Sequence, residues 1–377
     1  MKIWSLPLFA VLLSAASPPP HWSNMQVSRL LTLMERSSDE GLAEATEDVP
    51  RLKQALALGD ADTTDALATR MAEDLLGDYI GGCCNAALRS NWHIANGYEK
   101  FDQRGAIASA VRDDGLDALF ARARPSHPFY SALRAAYRGE TDPVRRNTLA
   151  ANLDRWRWMP RDPGARYLLV NAAAFEATLW QGGAMIGRWA VVVGKTRSPT
   201  PVFSARVTGV VLNPWWEIPP AIARESIAGL LSRDPAEAAR RGYVRAGQRY
   251  RQRPGANNAL GRMKLVMPNP YNVYLHDTPA QSLFEQDVRA FSHGCVRVGD
   301  ALGLAATLLG KPHSRSRLGT LVAQGQTQTL SLPAPIPVYV TYFTAEPDGA
   351  GGVRYFPDVY RRDVKAQAPS PEGTCPR

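Results

Sequence analysis

Hydrophobic residues are spaced in two different ways along this chain. In the N-terminal third they recur every three to four positions, which is the spacing of one face of an amphipathic helix. This spacing predicts four helices, over residues 26–36, 62–80, 106–121 and 128–137. The Gly81-Gly82 pair should end the second helix, because glycine readily adopts the left-handed conformation found at helix C-termini. The chain is therefore predicted to be all-α up to about residue 140.

From Tyr167 the spacing changes to short runs of β-branched and aromatic residues separated by turn residues. Such runs are typical of strands. Strands are predicted at residues 167–171, 175–180, 189–193, 207–212, 264–267, 273–276 and 338–343. Helical spacing returns over 220–231 and 235–241, and a further helix over 301–309 has Asp300 as its N-cap. Many short strands joined by turns predict a mainly β part built as a β-sandwich.

The bulk composition narrows the choice of partner. The chain has 377 residues, of which 45% are hydrophobic, and this is enough for a substantial core and two domains. Its formal net charge of +9 suits an anionic partner such as the carboxylate-rich cell wall. The charge is mostly scattered arginine without a basic block and interleaved aromatics, so nucleic acid is not predicted as a partner.

The N-terminus has the pattern of an export signal. Lys2 precedes an apolar run from Ile3 to Leu13, and small residues at positions 14 and 16 fit a cleavage site before Ser17. The run is far shorter than the roughly 20 residues that span a bilayer, and no later segment is long and apolar enough. We therefore expect a cleavable signal peptide over 1–16, export to the periplasm, and no stable transmembrane segment.

The four cysteines are expected to differ in role. In an oxidising compartment, Cys83 or Cys84 could pair with Cys375, and a strained bridge between Cys83 and Cys84 is the less favoured alternative. Pairing of Cys295 would block the chemistry described next. No CxxC spacing is present, so a zinc framework is not predicted.

The residues around Cys295 have the composition of a thiol-nucleophile site. The segment 292–297 reads Ser-His-Gly-Cys-Val-Arg, and Tyr-Leu-His-Asp precedes it at 274–277. Such a site requires a cysteine, an imidazole to take its proton, and tight backbone whose N–H groups can hold an oxyanion. The sequence therefore indicates covalent catalysis through an acyl-enzyme on Cys295, with His276 as the base.

These motifs resemble the signature of L,D-transpeptidases with a YkuD-type catalytic domain, which cross-link peptidoglycan. Further segments are similar to the large YcbB-like subgroup of Gram-negative bacteria. They are Thr200-Pro201-Val202, Asn213-Pro214-Trp215-Trp216, Arg253-Pro254-Gly255, Asn258-Ala259-Leu260-Gly261, Pro268-Asn269 and Tyr274 to Pro279. The strong resemblance runs from about residue 147 to about residue 309, and a weaker one covers about 60–140.

The resemblance implies an α+β fold with an all-α scaffold domain followed by a mainly β YkuD-type catalytic domain. We expect the scaffold over 17–145 and the catalytic domain over 146–345, with a helical capping insertion over 222–255. Residues 346–377 are predicted to form an extension whose end is disordered. The subgroup usually carries a peptidoglycan-binding domain between scaffold and catalytic domain, but Gly139 to Pro143 leads almost directly into Arg145, so that domain is expected to be missing.

The resemblance also implies roles for individual residues. Cys295 would be the nucleophile and His276 its general base, oriented by a backbone carbonyl rather than by Asp277, whose side chain should point away. His293 would be a second active-site imidazole or would shape the loop. The N–H groups around Gly294 and Cys295 would form the oxyanion hole.

Four further residues are predicted to border or bind the substrate together with Ser292, whose hydroxyl could also bond to the backbone of its own loop. Arg297 can pair bidentately with a carboxylate, belonging either to the substrate or to the fold. One of Trp215 and Trp216 should be core and the other should line the groove, with Trp216 taken as the groove residue. The remaining substrate-binding candidates are Tyr274 and Asn258.

The implied reaction is attack by Cys295 on the diaminopimelate–D-Ala bond of a tetrapeptide stem, release of D-Ala, and a 3→3 cross-link to a second stem. No metal or organic cofactor is required. Water as acceptor would make a carboxypeptidase, and a protein lysine, for example of an outer-membrane protein, would make a ligase. Other cell-wall enzymes are further candidate partners.

The rival hypotheses are a non-catalytic wall-binding scaffold, a metal site from His276, His293 and Cys295, and a papain-like protease, which the order of Cys and His disfavours.

Overall fold

The computed structural model describes residues 20–42, 48–82, 89 and 91–363, which fall into two compact units. The first unit comprises 20–38, 48–79 and 102–123. The second comprises the described parts of 39–42, 80–101 and 124–363. The predicted signal peptide, the pairing of Cys83 or Cys84 with Cys375, and the predicted disordered end lie outside the described residues.

The helices that make up the first unit are α1 (Asn24–Ser37), α2 (Asp48–Leu58), most of α3 (Ala61–Gly81), α4 (Gln103–Arg112) and α5 (Leu116–Ala123). A capping box starts α1, because the Ser23 hydroxyl accepts from the Gln26 N–H and the Gln26 side chain accepts from the Ser23 N–H. The predicted helices at 26–36 and 62–80 are confirmed as α1 and α3, and Gly82 follows α3 with a φ of 75°. Helix α2 was not predicted.

The single helix predicted over 106–121 is wrong, because the chain turns between α4 and α5. Asp114 has a φ of 52°, which no helical residue adopts. The Gly115 N–H donates back to the Ala110 carbonyl at 2.7 Å and so closes the turn. Apolar residues continue at helical spacing on both sides of the turn, so periodicity alone could not show the break.

The second unit contains two helices, α6 (Pro128–Gly139) and α7 (Pro143–Arg157), which precede all of its strands but the first. Helix α6 is the helix predicted over 128–137, whereas α7 was missed. The Asp142 side chain accepts from the Arg145 N–H, and Pro143 occupies the first turn, so α7 carries an N-terminal signal that was readable in the sequence. The predicted division between domains at residue 145 falls inside α7 and stays a prediction, whereas the compact units divide elsewhere.

The strands of the second unit form one large mixed sheet and two small ones. The ten strands of the large sheet are β1 (Trp92–His93), β2 (Arg166–Asn171), β3 (Glu176–Gln181), β4 (Ala184–Gly194), β5 (Val202–Leu212), β9 (Met263–Val266), β10 (Leu275–His276), β11 (Ala290–Ser292), β12 (Val296–Val298) and β13 (Gln328–Thr341). The small sheets hold β6 (Trp216–Ile218), β7 (Tyr243–Ala246) and β8 (Arg249–Gln252), and β14 (Ala345–Pro347) with β15 (Val353–Tyr355). The α+β class and the mainly β second part are confirmed.

The strands of the predicted β-sandwich belong to one continuous sheet that closes on itself. Its order is β1-β5-β13-β2-β3-β4-β12-β10-β9, and β9 also pairs with β5. Strands such as β2 and β3 are buried along most of their length because both faces are covered. The core combines residues of this sheet with residues of α6, α7 and α11 (Ala301–Leu309). A closed, doubly covered sheet is a rigid frame for groups at its strand ends.

The predicted capping insertion, residues 222–255, holds a broken helix and most of a three-stranded sheet. Helix α8 (Pro220–Ile222) passes through a π-helical turn (Ala223–Ile227) into α9 (Ala228–Arg233), and α10 (Pro235–Arg240) follows. The sheet order is β6-β8-β7. A small apolar cluster lies beneath these elements and contains Trp216, Ile218, Ala223, Ile227 and Leu260. The predicted helices at 220–231 and 235–241 are therefore confirmed.

The chain from residue 346 to Asp363, the described part of the predicted C-terminal extension, belongs to the second unit. Phe356, Val359 and Tyr360 pack against the main core, and β15 pairs with β14. The predicted helix with Asp300 as its cap is confirmed as α11, and α12 (Arg315–Ala323) follows it. Among the described helices, none is long and apolar enough to cross a bilayer.

Candidate active site

The histidine and the cysteine of the motif are brought together by parallel pairing of two short strands. Strand β10 pairs with β12 so that His276 lies beside Arg297. The Val296 N–H donates to the Tyr274 carbonyl at 3.1 Å, so Cys295 lies at the same end of the strand pair as Tyr274. Cys295 precedes α11 by only six residues in the sequence. Strand β12 intervenes, and the favourable field of a helix N-terminus, which fades within about one turn, does not reach the thiol.

His276 is held as a neutral base. Its side chain is buried, and Nδ1 donates to the backbone carbonyl of Asp277 at 2.5 Å, so the second ring nitrogen, Nε2, is the one left to accept a proton. Burial and, to a smaller extent, the nearby Arg297 cation lower the pKa of the imidazole to about 4, against the opposing effects of Asp277 and of the Leu260 backbone. A backbone carbonyl therefore orients the ring, as expected from the sequence.

The Asp277 carboxylate points to the other side of strand β10. It accepts from Nε and the backbone N–H of Arg262, at 2.7 and 2.9 Å. Successive side chains in a strand face opposite sides, so a carboxylate next to His276 in sequence cannot contact its ring. Asp277 therefore contributes its carbonyl to the site and its side chain to the fold, which confirms the predicted direction.

Cys295 is a free, partly buried thiol. Its S–H points to the carbonyl of Asn272 at 3.8 Å. Burial raises the pKa of the thiol, while hydrogen bonds from the backbone and phenol of Tyr274 and the positive charges of Arg297 and Lys264 act in the opposite direction. With a raised thiol pKa and a lowered imidazole pKa, the resting pair is thiol and neutral imidazole rather than thiolate and imidazolium.

Ser292 and Gly294 fix the motif loop, residues 292–295. The Ser292 hydroxyl donates to the Cys295 carbonyl at 2.6 Å and accepts from the Gly294 N–H at 3.0 Å. Gly294 has a φ of 116°, a region that side chains with a Cβ rarely adopt. Ser292 was predicted to bind substrate, but it is buried with its hydroxyl used twice inside the loop. Because the Gly294 N–H is occupied, the Cys295 N–H is the remaining donor of the predicted oxyanion hole.

A support beneath the motif loop was missed in the sequence. The Thr200 hydroxyl donates to the Gly294 carbonyl and accepts from the Gly194 N–H, both at 2.9 Å. Tyr360, from the C-terminal segment, donates to the Gly194 carbonyl at 2.6 Å and accepts from the Thr200 N–H at 3.2 Å. Thr200 lies in a segment that resembles the family, which was a usable signal. Nothing near Tyr360 in the sequence pointed to the site.

Arg297 is a cation without an acidic partner. No carboxylate in the described part of the chain lies within 4 Å of its guanidinium, whose buried Nε has no hydrogen-bond partner there. Burial lowers the pKa of the guanidinium, and its charge acts on both Cys295 and His276. The sequence left open whether Arg297 pairs with a carboxylate of the substrate or of the fold. Among the described residues, no carboxylate of the fold pairs with it.

The Tyr274 phenol lies next to the Cys295 thiol, and Trp216 lies next to Tyr274. Trp216 is 9% exposed and belongs to the apolar cluster of the capping insertion, so Trp216 is the core member of the tryptophan pair. Trp215 is partly exposed, with the Arg251 guanidinium 4.6 Å from its ring centroid. Burial raises the pKa of the Tyr274 phenol, which interacts with the Trp216 side chain and with Cys295. Trp215 is the more exposed of the two, and Trp216 as the groove residue stays a prediction.

Asn258 is part of the fold rather than of the substrate surface. It is buried, its Nδ2 donates to the carbonyls of Pro214 and Arg253 at 3.0 and 2.9 Å, and its Oδ1 accepts from the Leu260 N–H at 2.8 Å. These bonds tie the end of the capping insertion to the turn that precedes β6. The structure thus supports a structural role for Asn258, which the sequence could not show because burial is decided by tertiary packing.

Replacing Asn258 with alanine should therefore lower stability rather than weaken substrate binding alone. Leaving its buried backbone partners unpaired should reduce the free energy of unfolding by about 1–3 kcal/mol. Urea denaturation followed by tryptophan fluorescence would measure this. The exposed neighbour Asn257 provides a matched control, since Asn257→Ala should leave the unfolding midpoint unchanged. Equal midpoints for the two variants would contradict the structural role.

His293 lies in a cluster of charged side chains. Its Nε2 lies 3.0 Å from Lys195 Nζ and 3.2 Å from Glu225 Oε2. It is 38% exposed, whereas His276 is buried, so the two imidazoles occupy different environments. Among the described residues, no group of three or more His, Cys, Asp or Glu side chains is arranged to hold a metal ion.

Two family models match this chain, and one of them covers the residues of the candidate site. A scaffold domain matches residues 15–136, and the YkuD L,D-transpeptidase catalytic domain matches residues 165–336. A curated protein of Haemophilus influenzae, whose name assigns it provisionally to the L,D-transpeptidases, is 30% identical over 236 residues, covering 57% of this chain and 48% of that protein. The chain thus spans about half the length of that relative.

Similar solved structures are also L,D-transpeptidases. One from Mycobacterium smegmatis is 15% identical with a TM-score of 0.26, covering 47% of this chain and 58% of that chain. One from Mycobacterium tuberculosis H37Rv is 13% identical with a TM-score of 0.26, covering 47% and 57%. These TM-scores are too low to carry an argument. Residues 165–336, which contain His276 and Cys295, match the YkuD L,D-transpeptidase catalytic domain.

Proposed function

We propose that this protein is a periplasmic cysteine L,D-transpeptidase that forms 3→3 cross-links between peptidoglycan stems. The observation that carries the proposal is a free thiol, Cys295, next to the end of a strand pair that holds a neutral, carbonyl-oriented imidazole, His276. Export rests on the N-terminal signal pattern. The net charge of +9 suits an anionic wall as the partner.

In the proposed acylation step, His276 acts as a general base during attack. Nε2 takes the thiol proton as the sulfur bonds to the carbonyl carbon of the diaminopimelate–D-Ala bond, and the Cys295 N–H stabilises the oxyanion. The imidazolium then gives its proton to the leaving nitrogen, and D-Ala departs. A neutral thiol and a neutral imidazole suit this mechanism, because the proton then moves from Cys295 to His276 only when the substrate is in place.

In the second step, the side-chain amine of another stem attacks the thioester, which gives the cross-link and restores the thiol. Water as acceptor would instead give a tripeptide, and a protein lysine would give a protein–wall conjugate. These three outcomes share the acylation step, so the products decide among them.

Product analysis tests the proposal. Purified disaccharide-tetrapeptide is incubated with the mature protein, and the products are separated and weighed by mass spectrometry. We expect a dimer lighter than two substrates by the mass of one free D-Ala. Tripeptide alone would replace the proposal with a carboxypeptidase, and the absence of any D-Ala release would favour a non-catalytic wall-binding scaffold.

Arg297 is proposed to bind a carboxylate of the donor stem. Replacing it with glutamine should raise the KM for the donor about tenfold or more, because a charge-assisted bidentate pair contributes about 1.5–3 kcal/mol. The same change should move the acid limb of the pH profile upward, since Arg297 lowers the pKa of His276. Steady-state release of D-Ala at several pH values measures both effects. A higher KM with an unmoved acid limb would contradict the electrostatic part.

A further inference from the structure

A cluster of charged side chains surrounds the His293 imidazole on the side of the capping insertion. Lys195, directly after β4, and Glu225, in the π-helical turn, both contact Nε2 of His293, at 3.0 and 3.2 Å. Glu225 Oε1 also lies 4.0 Å from Lys195 Nζ and 3.8 Å from Arg197 Nη2. Nothing in the proposed acylation step uses these four residues. The cluster therefore needs its own explanation.

Lys195 and Glu225 require opposite protonation states of His293 Nε2. An ammonium can only donate to Nε2, and a carboxylate can only accept from it, so the nitrogen satisfies one of them at a time. Glu225 is 49% exposed at this point, and Lys195 is 22% exposed. Together, the carboxylate of Glu225 and the lone pair of Nε2 offer two acceptors to a primary ammonium. Lys195 Nζ is the ammonium that lies there in this structure.

We propose that Glu225 and His293 Nε2 form the receiving subsite for the primary ammonium of the acceptor, and that Lys195 occupies it until an acceptor displaces its side chain. This inference rests on the proposed function, because only an aminolysing enzyme needs such a subsite. Its location fits, since His293 lies two residues before Cys295 on the motif loop and Glu225 lies on the capping insertion. An acceptor held there would reach the thioester from the side of the insertion.

The subsite also supplies the proton transfer that aminolysis requires. An ammonium has no lone pair, so the acceptor first gives one proton to Nε2 of His293, which later passes it to solvent. The free amine then attacks the thioester carbonyl, a C–N bond forms, and the C–S bond breaks. The second proton of the nitrogen passes through His276 to the Cys295 sulfur, and the third stays on the new amide.

Arg197 distinguishes two sources of the same ammonium. The end of a diaminopimelate side chain carries a carboxylate beside its ammonium, whereas a lysine side chain carries the ammonium alone. Arg197 is 75% exposed and reaches Glu225 at 3.8 Å, so its guanidinium can pair with a carboxylate next to an ammonium bound by Glu225. The cluster therefore favours a zwitterionic acceptor over a protein lysine.

The test separates acylation from aminolysis. Wild-type protein and variants receive the disaccharide-tetrapeptide as donor, with a disaccharide-tripeptide stem or Nα-acetyl-lysine as added acceptor. The first-turnover burst of D-Ala, called D-Ala release below, reports acylation, and the cross-linked share of the product reports aminolysis. The acceptor concentration for half-maximal aminolysis, called the half-saturation below, is the quantity compared.

Replacing Glu225 and replacing Lys195 should shift the half-saturation in opposite directions. Glu225→Gln should raise the half-saturation about three- to fivefold, as expected for loss of a half-exposed charge pair. Lys195→Met should lower it about two- to threefold, because the competing ammonium is gone. D-Ala release should stay within about twofold of wild type in both. Arg197→Gln should raise the half-saturation for the tripeptide stem but not for Nα-acetyl-lysine.

Glu217→Gln is the matched control, because Glu217 lies on β6 and its carboxylate pairs with Arg251 at 2.7 Å. It should change neither quantity. Shifts of the same sign for Glu225→Gln and Lys195→Met, or an equal loss of D-Ala release and aminolysis in Glu225→Gln, would overturn the subsite and leave a structural ion cluster. If wild-type protein releases no D-Ala, the proposed function itself fails. Normal D-Ala release with unaltered aminolysis in every variant overturns the subsite alone.

Discussion

Replacing Cys295 with alanine is expected to abolish formation of the acyl-enzyme. Incubated with donor stem, wild-type protein should gain the mass of the tripeptide acyl group, and the variant should gain none. The reason is chemical, because no other described residue offers a free thiol, and removing a nucleophile stops covalent catalysis rather than slowing it slightly. Intact-protein mass spectrometry after acid quenching measures the adduct.

The same substitution at another cysteine controls for loss of a thiol in general. Cys375→Ala should still acquire the acyl group, provided its thermal unfolding midpoint stays at the wild-type value. An adduct on Cys295→Ala, or normal D-Ala release by that variant, would show that the nucleophile lies elsewhere. It would then revive the scaffold hypothesis for the motif.

Replacing His276 with glutamine is expected to lower kcat/KM for D-Ala release by about 10²- to 10⁴-fold, the range typical of a lost general base. In the proposed acylation step the buried ring accepts the thiol proton, and an amide could not take its place. His21→Gln is the matched control, because His21 is exposed in the helical unit and pairs with Asp65. A loss below about tenfold in His276→Gln, with the fold intact by circular dichroism, would remove His276 from this role.

The pH profile provides a second measurement on the same pair. A base with a pKa lowered to about 4 is neutral above that value, so activity should persist through pH 5–6 and fall only as the pH drops through about 4. Because the pKa of the Cys295 thiol is raised, its alkylation by iodoacetamide should increase only above the usual range of a thiol. Fast, pH-independent alkylation near pH 6 would instead indicate a preformed thiolate–imidazolium pair.

Local patterns were sufficient for most elements and for the chemistry of the motif. Helices α1, α3, α6 and α11 and the main strands follow from residue spacing and caps, because these depend on neighbours within a few positions. The spacing missed the turn at Asp114, where apolar positions continue through a backbone break. It also missed α7, whose many buried polar residues blur the amphipathic pattern.

The roles of individual residues depended on tertiary structure more than the choice of residues did. Ser292, Trp216 and Asn258 were predicted to contact the substrate, and all three are buried, with bonding partners inside the fold. Burial depends on which elements pack over a residue, and this information is spread over the whole chain. For Arg297 the sequence left the partner open, and only the tertiary structure shows that no carboxylate of the described residues pairs with it.

The sequence by itself determined the residue types that can do chemistry and their order along the chain, because a thiol, an imidazole and a flexible glycine are chemical properties of single residues. Tertiary structure decided which groups meet. Parallel pairing of β10 with β12 sets His276 beside the motif, and Tyr360, Thr200, Lys195 and Glu225 reach it from segments distant in sequence. Protonation states were decided there too, because burial and nearby charges, rather than residue type, set the pKa values of His276 and Cys295.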